Sequence, residues 1–507
     1  MANSVVIDEY PNTVAQNAKI NDNYKEAANK VAESAVADFL NLCKVVRTSA
    51  DCTHISAHLA NWAKAHNLNP VVDEFLNVYW DVPASPGCEN WPKIIFQTHQ
   101  DMVWETKNSA SPDPKPVDAV YDEETGAIHS RNFETTLGAD PGEGIITLLA
   151  LSKDYGFKHG PLRVIFTTKE ETTMDGAYGL SSEVLDSDFM VNIDGRQAGI
   201  VRIFSCGVQT FVYKKNYEMT KSEHDTQLKI NVDGLLGGHS ANSIIYKRVS
   251  AIDVLRNVMN RLAERNVNFD LISLEGGQNF NAIAYSAEMK LACSKNDVDT
   301  IKEICNSVID DQMANSVDDK NGKCNFEVSD LTSEVFASVD TKQISELLNA
   351  FHNELFDMFE EVESVPKNSL NMGVVCIKDG TLDFILMYRF GEEEFLKKLK
   401  KFNDEISKKL QINYEVVEKL PAWYPSKDRK LLNAYTRASK EVCDIDAIVN
   451  GTHGGLEVGI FLDKRPSMQC ISFGADVKGE HSTNETFYTK SLPYHFATLI
   501  RTLETLN

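Results

Sequence analysis

Several apolar runs in this chain end in a charged or metal-ligating side chain, and this narrows the folds open to it. The segments are Phe96-Gln-Thr-His99-Gln-Asp101, Phe166-Thr-Thr-Lys-Glu170-Glu171 and Val191-Asn-Ile-Asp194. Strands of a parallel sheet deliver their functional side chains in this way, at their carboxyl ends. Apolar spacing predicts helices near 24–44 and 53–67, then strands near 71–80, 93–98, 162–168 and 189–194, alternating with a helix that opens after Gly144. Such alternation argues for an α/β class with a mixed, mostly parallel sheet.

From about residue 203 to 420 the pattern changes to strand, helix, strand, strand, helix, strand, and then repeats. Helices are expected near 247–264, 296–314, 341–361 and 392–410, between strands such as Gln227–Val232, Ala284–Leu291, Gly373–Ile377 and Asp383–Tyr388. Two units of about 100 residues suggest a duplicated α+β domain. It is inserted in a chain whose first fold resumes at Pro421-Ala-Trp-Tyr-Pro. The division is 1–202, 203–420 and 421–507, with Ser111–Pro116 a surface loop.

Two further segments, Leu137-Gly-Ala-Asp140-Pro-Gly and Gly479-Glu-His481, complete a recurring chemistry. Two divalent cations about 3.5–4 Å apart need a bridging carboxylate. Each then takes about two terminal imidazole or carboxylate ligands and leaves a position for water. One further carboxylate must move protons. The five segments supply that number of groups.

In Thr98-His-Gln-Asp-Met-Val103, Thr135-Thr-Leu-Gly-Ala-Asp140, Gly237-Gly-His-Ser240, His453-Gly-Gly-Leu-Glu457 and Lys478-Gly-Glu-His-Ser482 the chain resembles the aminoacyl-histidine dipeptidases (Xaa-His dipeptidases, peptidase D). These belong to the di-zinc metallopeptidases that include carnosinases and glutamate carboxypeptidases, and the likeness runs from about Phe39 to the C-terminus. It implies a di-zinc peptidase domain carrying an inserted lid. It also implies that His99, Asp140 and Asp194 hold one zinc and Asp140, Glu171 and His481 the other, with Mn2+ or Co2+ as alternatives. Glu170 would be the general base and acid, and Asp101 would accept a hydrogen bond from the far nitrogen of His99. His239 would stabilise the tetrahedral intermediate and Arg389 would anchor the substrate carboxylate. His453 and Glu457, spaced as on one helical turn, would line the substrate pocket. The expected substrate is a short peptide, of Xaa-His type, with tripeptides and N-acyl amino acids left open.

The chain also departs from that family around the same residues. Lys169 stands where Asp is usual, Thr173 replaces Gly, Pro141 replaces Asn, and Gly195-Arg196 stand where Ser or Thr and Glu are usual. A binding or scaffold protein on the same fold is therefore the second reading. Proline after the bridging Asp140 lowers the cost of the cis bond that the family shows there, so a cis Asp140–Pro141 is expected.

Composition excludes other classes. Lys+Arg 51 against Asp+Glu 74 gives a net charge of -23, which disfavours nucleic acid and anionic membranes. No apolar stretch approaches the ~20 residues of a membrane span, and the polar first 30 residues do not read as a signal peptide, so a cytoplasmic protein is expected. The 10 cysteines form no CxxC pair. Gly238-His-Ser240-Ala-Asn242 lacks the last glycine of a nucleophile elbow, and Gly142-Glu-Gly144-Ile-Ile-Thr147 fails as a dinucleotide loop. Monomer and homodimer both stay open.

Overall fold

The computed structural model describes residues 13–108, 110, 112–360, 362 and 365–507. They fall into two compact units, one within Met1–Phe204, Trp423–Gly451 and Leu456–Asn507, the other made of Ser205–Ala422 and Thr452–Gly455.

The first unit is built on an eight-stranded sheet. Its order is Val71–Val72, Val78–Val82, Leu162–Thr167, Ile94–His99, Phe189–Ile193, Gln469–Phe473, Ile200–Ser205 and Ile448–Thr452. Ile94–His99 runs parallel to Leu162–Thr167 and to Phe189–Ile193, which in turn runs parallel to Gln469–Phe473. Antiparallel pairs flank this centre. The strands Ile94–His99 and Phe189–Ile193 are buried at every residue, as strands covered on both faces must be. The helices Asp22–Leu42 and Thr53–Ala65 match their expected spans closely. The strand expected over 71–80 is split in two. Asp73 explains the break, since its Oδ1 accepts the backbone N–H groups of Phe75 and Asn77 and turns the chain between the two pieces.

One helix fixes the geometry of the functional end. Ala139–Leu151 is buried along its whole length. A Cβ on Gly144 would lie 2.3 Å from the Thr98 hydroxyl and 2.5 Å from the Ile193 carbonyl oxygen. The helix therefore seats itself directly against the ends of the two strands that lead to His99 and Asp194. Asp140 and Pro141, at its start, keep non-helical backbone angles, and the bond between them is cis, as expected.

The second unit holds a nine-stranded sheet whose strand pairs are antiparallel. Thr226–Asp233 alternates strictly between buried and half-exposed residues, the pattern of a sheet with one face on the core. Helices Ala251–Glu264, Val298–Asn315, Ser338–Asn349 and Glu393–Leu410 add their apolar faces to the same core cluster. The expected helix over 341–361 stops at Asn349, because Glu354–Met358 instead pairs at the sheet edge with Pro366–Lys378.

The duplication is present, but it is nested rather than tandem. One half runs through Thr226–Asp233, Phe269–Gly276, Ala287–Cys293 and Lys323–Asp330, which lie in the spatial order fourth, first, third, second. The other half has the mirrored order, beginning with Pro366–Lys378 beside Phe269–Gly276. Its first strand is Gly207–Asn216, which precedes the whole of the other half in sequence and pairs with Thr381–Phe390 and Asn413–Leu420. Of the surface loop expected over Ser111–Pro116, Ser111 lies outside the described residues and Pro112–Pro116 are exposed.

Candidate active site

Strand ends, one helix start and one loop of the first unit bring six of the expected side chains together. His99 ends its strand, Glu170 and Glu171 follow Leu162–Thr167, Asp194 follows Phe189–Ile193, Asp140 starts its helix, and His481 follows Asp476–Lys478. Three sets of donor atoms lie within 4.8 Å of one another: His99, Asp140 and Asp194; Asp140, Glu171 and His481; and His99, Glu170 and Glu171. Asp140 links the first two sets. Its Oδ1 is 3.3 Å from His99 Nε2 and its Oδ2 is 3.1 Å from His481 Nε2, which in turn is 2.9 Å from Glu171 Oε1. Imidazole and carboxylate oxygen are donors that suit zinc and its neighbours. The donor chemistry therefore fits divalent ions.

The electrostatics point the same way. Burial alone would strip the proton from His99, yet Asp101, Asp140 and Glu170 outweigh it and raise its proton affinity well above the ordinary value. His481 is likewise raised to about 10 against the effect of burial, by Asp140 and Glu171. The same carboxylates that favour a proton on these two imidazoles would favour a bound cation, which takes the imidazoles in their neutral form. Glu170 is buried, and burial together with the charges of Glu171, Asp194 and Glu457 lifts its carboxyl well above the usual range, against His99. A carboxyl raised in this way takes up a proton more readily than an ordinary carboxylate, as a general base must.

Asp101 ties the loop of the two glutamates in place. Its carboxylate accepts the Ser49 hydroxyl at 2.6 Å and the backbone N–H groups of Glu170 and Glu171 at 3.2 and 3.4 Å. Its Oδ1 stands 3.5 Å from His99 Nδ1, longer than an ordinary hydrogen bond. Glu485, which sequence reasoning missed, does the same for the loop that carries Asp140. It accepts the N–H groups of Leu137 and Gly138 at 2.7 Å and that of Asp140 at 3.0 Å, while Arg47 donates to the Gly138 carbonyl. Arg196 was noted only as a departure from the family pattern. Its Nη1 lies 3.1 Å from Asp140 Oδ2 and its Nε 3.3 Å from Asp194 Oδ1.

Glu457 is buried in the first unit. Its Oε2 accepts Gln97 Nε2 at 2.6 Å and the Thr167 hydroxyl at 2.8 Å, and burial raises its carboxyl to about 7. His453 belongs to the second unit, in a bend after Ile448–Thr452, whereas Glu457 immediately precedes the helix Val458–Lys464. The one-turn relation expected for this pair therefore does not form, because Gly454-Gly455 separate them with non-helical backbone.

Within the second unit, Arg389 is buried and donates to the Ser240 hydroxyl and the His453 carbonyl, both at 3.3 Å. Among the described residues no carboxylate lies within ion-pair distance of it, and burial pulls its guanidinium down to about 10. The His453 ring is held between Ser369 Oγ at 2.7 Å and Cys206 Sγ at 3.3 Å. Burial, and then Arg389, keep it neutral. His239 is exposed, and its Nδ1 accepts the Ala241 N–H at 3.3 Å, capping the short helix Ser240–Ser243.

A catalytic α/β unit whose strand ends converge on imidazoles and carboxylates, together with an α+β insertion, defines a class of metal-dependent hydrolases. The chain belongs to peptidase family M20/M25/M40, whose model matches residues 95–505, and it is thus a hydrolase of peptide bonds. It is 26% identical over 473 residues to the cytosol non-specific dipeptidase of Escherichia coli (strain K12), covering 92% of this chain and 96% of that protein. The crystal structure of aminoacylhistidine dipeptidase from Vibrio alginolyticus superposes with a TM-score of 0.80 at 25% identity, over 92% of this chain and 95% of that one. Human carnosine dipeptidase 1 shares the fold, with a TM-score of 0.52 at 10% identity over 96% of this chain and 99% of that one.

Proposed function

We propose that the chain is a cytoplasmic dipeptidase that carries two zinc ions and acts on dipeptides with a free C-terminus, those of Xaa-His type in particular. The observation that carries this reading is the shared Asp140, which joins two sets of ligand atoms within 4.8 Å beside the separate acid Glu170. The names of the Escherichia coli and Vibrio alginolyticus proteins support the substrate class. No helix among the described residues is long and apolar enough to cross a membrane.

His99, Asp140 and Asp194 would hold one ion, and Asp140, Glu171 and His481 the other. When bound, the ions supply Lewis-acid polarisation of the scissile carbonyl and lower the pKa of water. Glu170 takes the proton from the attacking water and returns it to the leaving amine. Asp101 holds the Glu170 loop rigid during both transfers. His239 donates to the oxyanion and Arg389 binds the substrate carboxylate. The buried guanidinium without a carboxylate partner supports the latter role, because a buried charge that lacks a counter-ion is costly and a bound carboxylate would supply one. His453 and Glu457 are the remaining residues proposed to contact the substrate.

The test is turnover of β-alanyl-histidine and a panel of Xaa-His and other dipeptides by zinc-loaded protein, with Glu170→Gln alongside. The substitution keeps fold and metal content and slows turnover by at least ~10²–10⁴-fold, as for a lost general acid–base. Near-normal turnover in zinc-loaded Glu170→Gln refutes the role of Glu170. No turnover of any dipeptide by wild-type protein that retains its metal favours the second reading, a binding protein on this fold, for which Arg196 among the ligand carboxylates is the specific observation.

A further inference from the structure

His239 stands on a turn that would not hold its shape unaided. The ring is exposed, so packing does not fix it, and the two residues before it are glycines with φ of 62° and 123°. Backbone of that kind has the largest conformational freedom in a chain. Side chains from two later segments remove that freedom. Asp319, fully buried, accepts the Leu236 N–H on Oδ1 and the Val249 N–H on Oδ2, both at 2.8 Å, and so ties together the two flanks of the turn. Arg248 reaches the turn itself. Its Nη1 donates to the Gly237 carbonyl at 2.7 Å and to the Ser243 hydroxyl at 3.2 Å, while its Nε and Nη2 lie 3.0 and 2.9 Å from Asp318 Oδ2. A Cβ on Gly238 would lie 2.5 Å from that Nη1 and 2.4 Å from the Ser243 hydroxyl oxygen, so the guanidinium packs against the turn where only glycine leaves room. The turn also pairs with Ala282–Ile283, with His239 opposite Ala282 and Gly238 opposite Ile283.

The orientation of the ring follows from this backbone. His239 Nδ1 accepts the Ala241 N–H, so the proton of the neutral imidazole is on Nε2. Nε2–H is then the one donor that the ring has, and the backbone at Gly237–His239 sets its direction. A lysine could not replace Arg248 here. The planar guanidinium presents Nε and Nη2 along one edge and Nη1 at the remaining corner, so a single group spans Asp318 and Gly237, whereas an ammonium is a point charge on a flexible stem.

Resting on the oxyanion role given to His239 above, we propose that Arg248 is a positioning residue for hydrolysis: through the Gly237 carbonyl it holds the turn that aims His239 Nε2–H, and it takes no part in holding the substrate. Arg389 and Ser240 are fixed separately, since Arg389 lies in the strand Thr381–Phe390 and the Ser240 N–H is bonded to the Asn281 carbonyl. The loss of Arg248 therefore falls on kcat rather than on KM, because His239 acts on the transition state.

The test is a double-substitution cycle on zinc-loaded protein with a dipeptide that the wild type turns over: wild type, His239→Ala, Arg248→Met and both together, with kcat and KM measured for each. His239→Ala should lower kcat by about 10²–10³-fold, the range for one lost oxyanion donor. Arg248→Met should lower kcat by about 10²-fold, as a misplacement of about 1 Å does, with KM and metal content near their wild-type values. In the His239→Ala background Arg248→Met should change kcat by less than about threefold, because the group it aims is already gone. Equal losses from Arg248→Met with and without His239 would show a general structural role and overturn the proposal, as would an unchanged kcat in Arg248→Met. Full kcat in His239→Ala overturns the oxyanion role itself and the proposal with it. Where Arg248→Met does not fold, Arg248→Lys decides through the same cycle: it keeps the charge without the fork and is expected to lose kcat alone, and wild-type kcat in it overturns the proposal.

Discussion

At the scale of single residues, the site divides into side chains proposed to do chemistry and side chains that hold them. The first kind was legible in the sequence. His99, Asp140, Glu170, Glu171, Asp194 and His481 belong to the few residue types that bind metal or move protons, and each stands in a short motif. The holding residues were not legible, because their partners are backbone groups or lie far along the chain. Glu485 accepts N–H groups from Leu137, Gly138 and Asp140, and backbone N–H groups leave no mark on a sequence. Gln97 and Thr167 could not be linked to Glu457 for the same reason of distance. Glu485→Ala should leave three buried donors unpaired, at about 1–3 kcal/mol each before relaxation. The expected result is a loss of about 3 kcal/mol in denaturant unfolding, with weaker retention of both ions as the Asp140 loop loosens. A variant with an unchanged midpoint would show that the loop is held by other contacts.

Among the elements, long periodic helices were predicted closely, whereas short segments were decided by local hydrogen bonds. Asp73 broke one strand, and an edge pairing overrode the helix expected after Asn349. The helix Leu492–Thr505 carries a further property that the apolar pattern conceals. Its His495 is buried, with Nε2 at 3.1 Å from the Thr147 hydroxyl of the helix Ala139–Leu151, and burial lowers its pKa to about 4. The unfolded chain protonates this residue near its ordinary value of 6.5, but the folded chain does so only near 4. Between those values the unfolded state binds the extra proton, so stability falls as pH drops through that window. The whole contribution is about 3 kcal/mol at 1.36 kcal/mol per unit. His495→Gln should flatten unfolding free energy against pH between 6.5 and 4 relative to wild type, and an identical slope would exclude His495 as its source.

For the molecule as a whole, the α/β class and the inserted α+β region followed from the order of apolar periods. The nesting of the duplicated half did not, because a linear pattern of strands and helices reads naturally as one unit after another. The chain divides into two compact units, and the proposed ligand side chains His99, Asp140, Glu171, Asp194 and His481 all lie in the first. Bound metal should therefore stabilise that unit alone, by about 2.7 kcal/mol per ion at a hundredfold excess over the dissociation constant. Scanning calorimetry is expected to show two transitions, only one of which moves down when a chelator is added. A chelator that shifts both equally would mean that the units unfold as one cooperative body.

The nested strand Gly207–Asn216 also bears on how the protein is made. It leaves the ribosome with its neighbours Thr381–Phe390 and Asn413–Leu420 not yet translated, the nearer of them about 165 residues behind. At about 5–20 residues per second, that wait lasts roughly 10–30 seconds. During it, a strand with buried positions at Val208, Thr210, Phe211, Val212 and Tyr213 is a nascent segment in need of shelter, while the half-sheet translated after it can already close on itself.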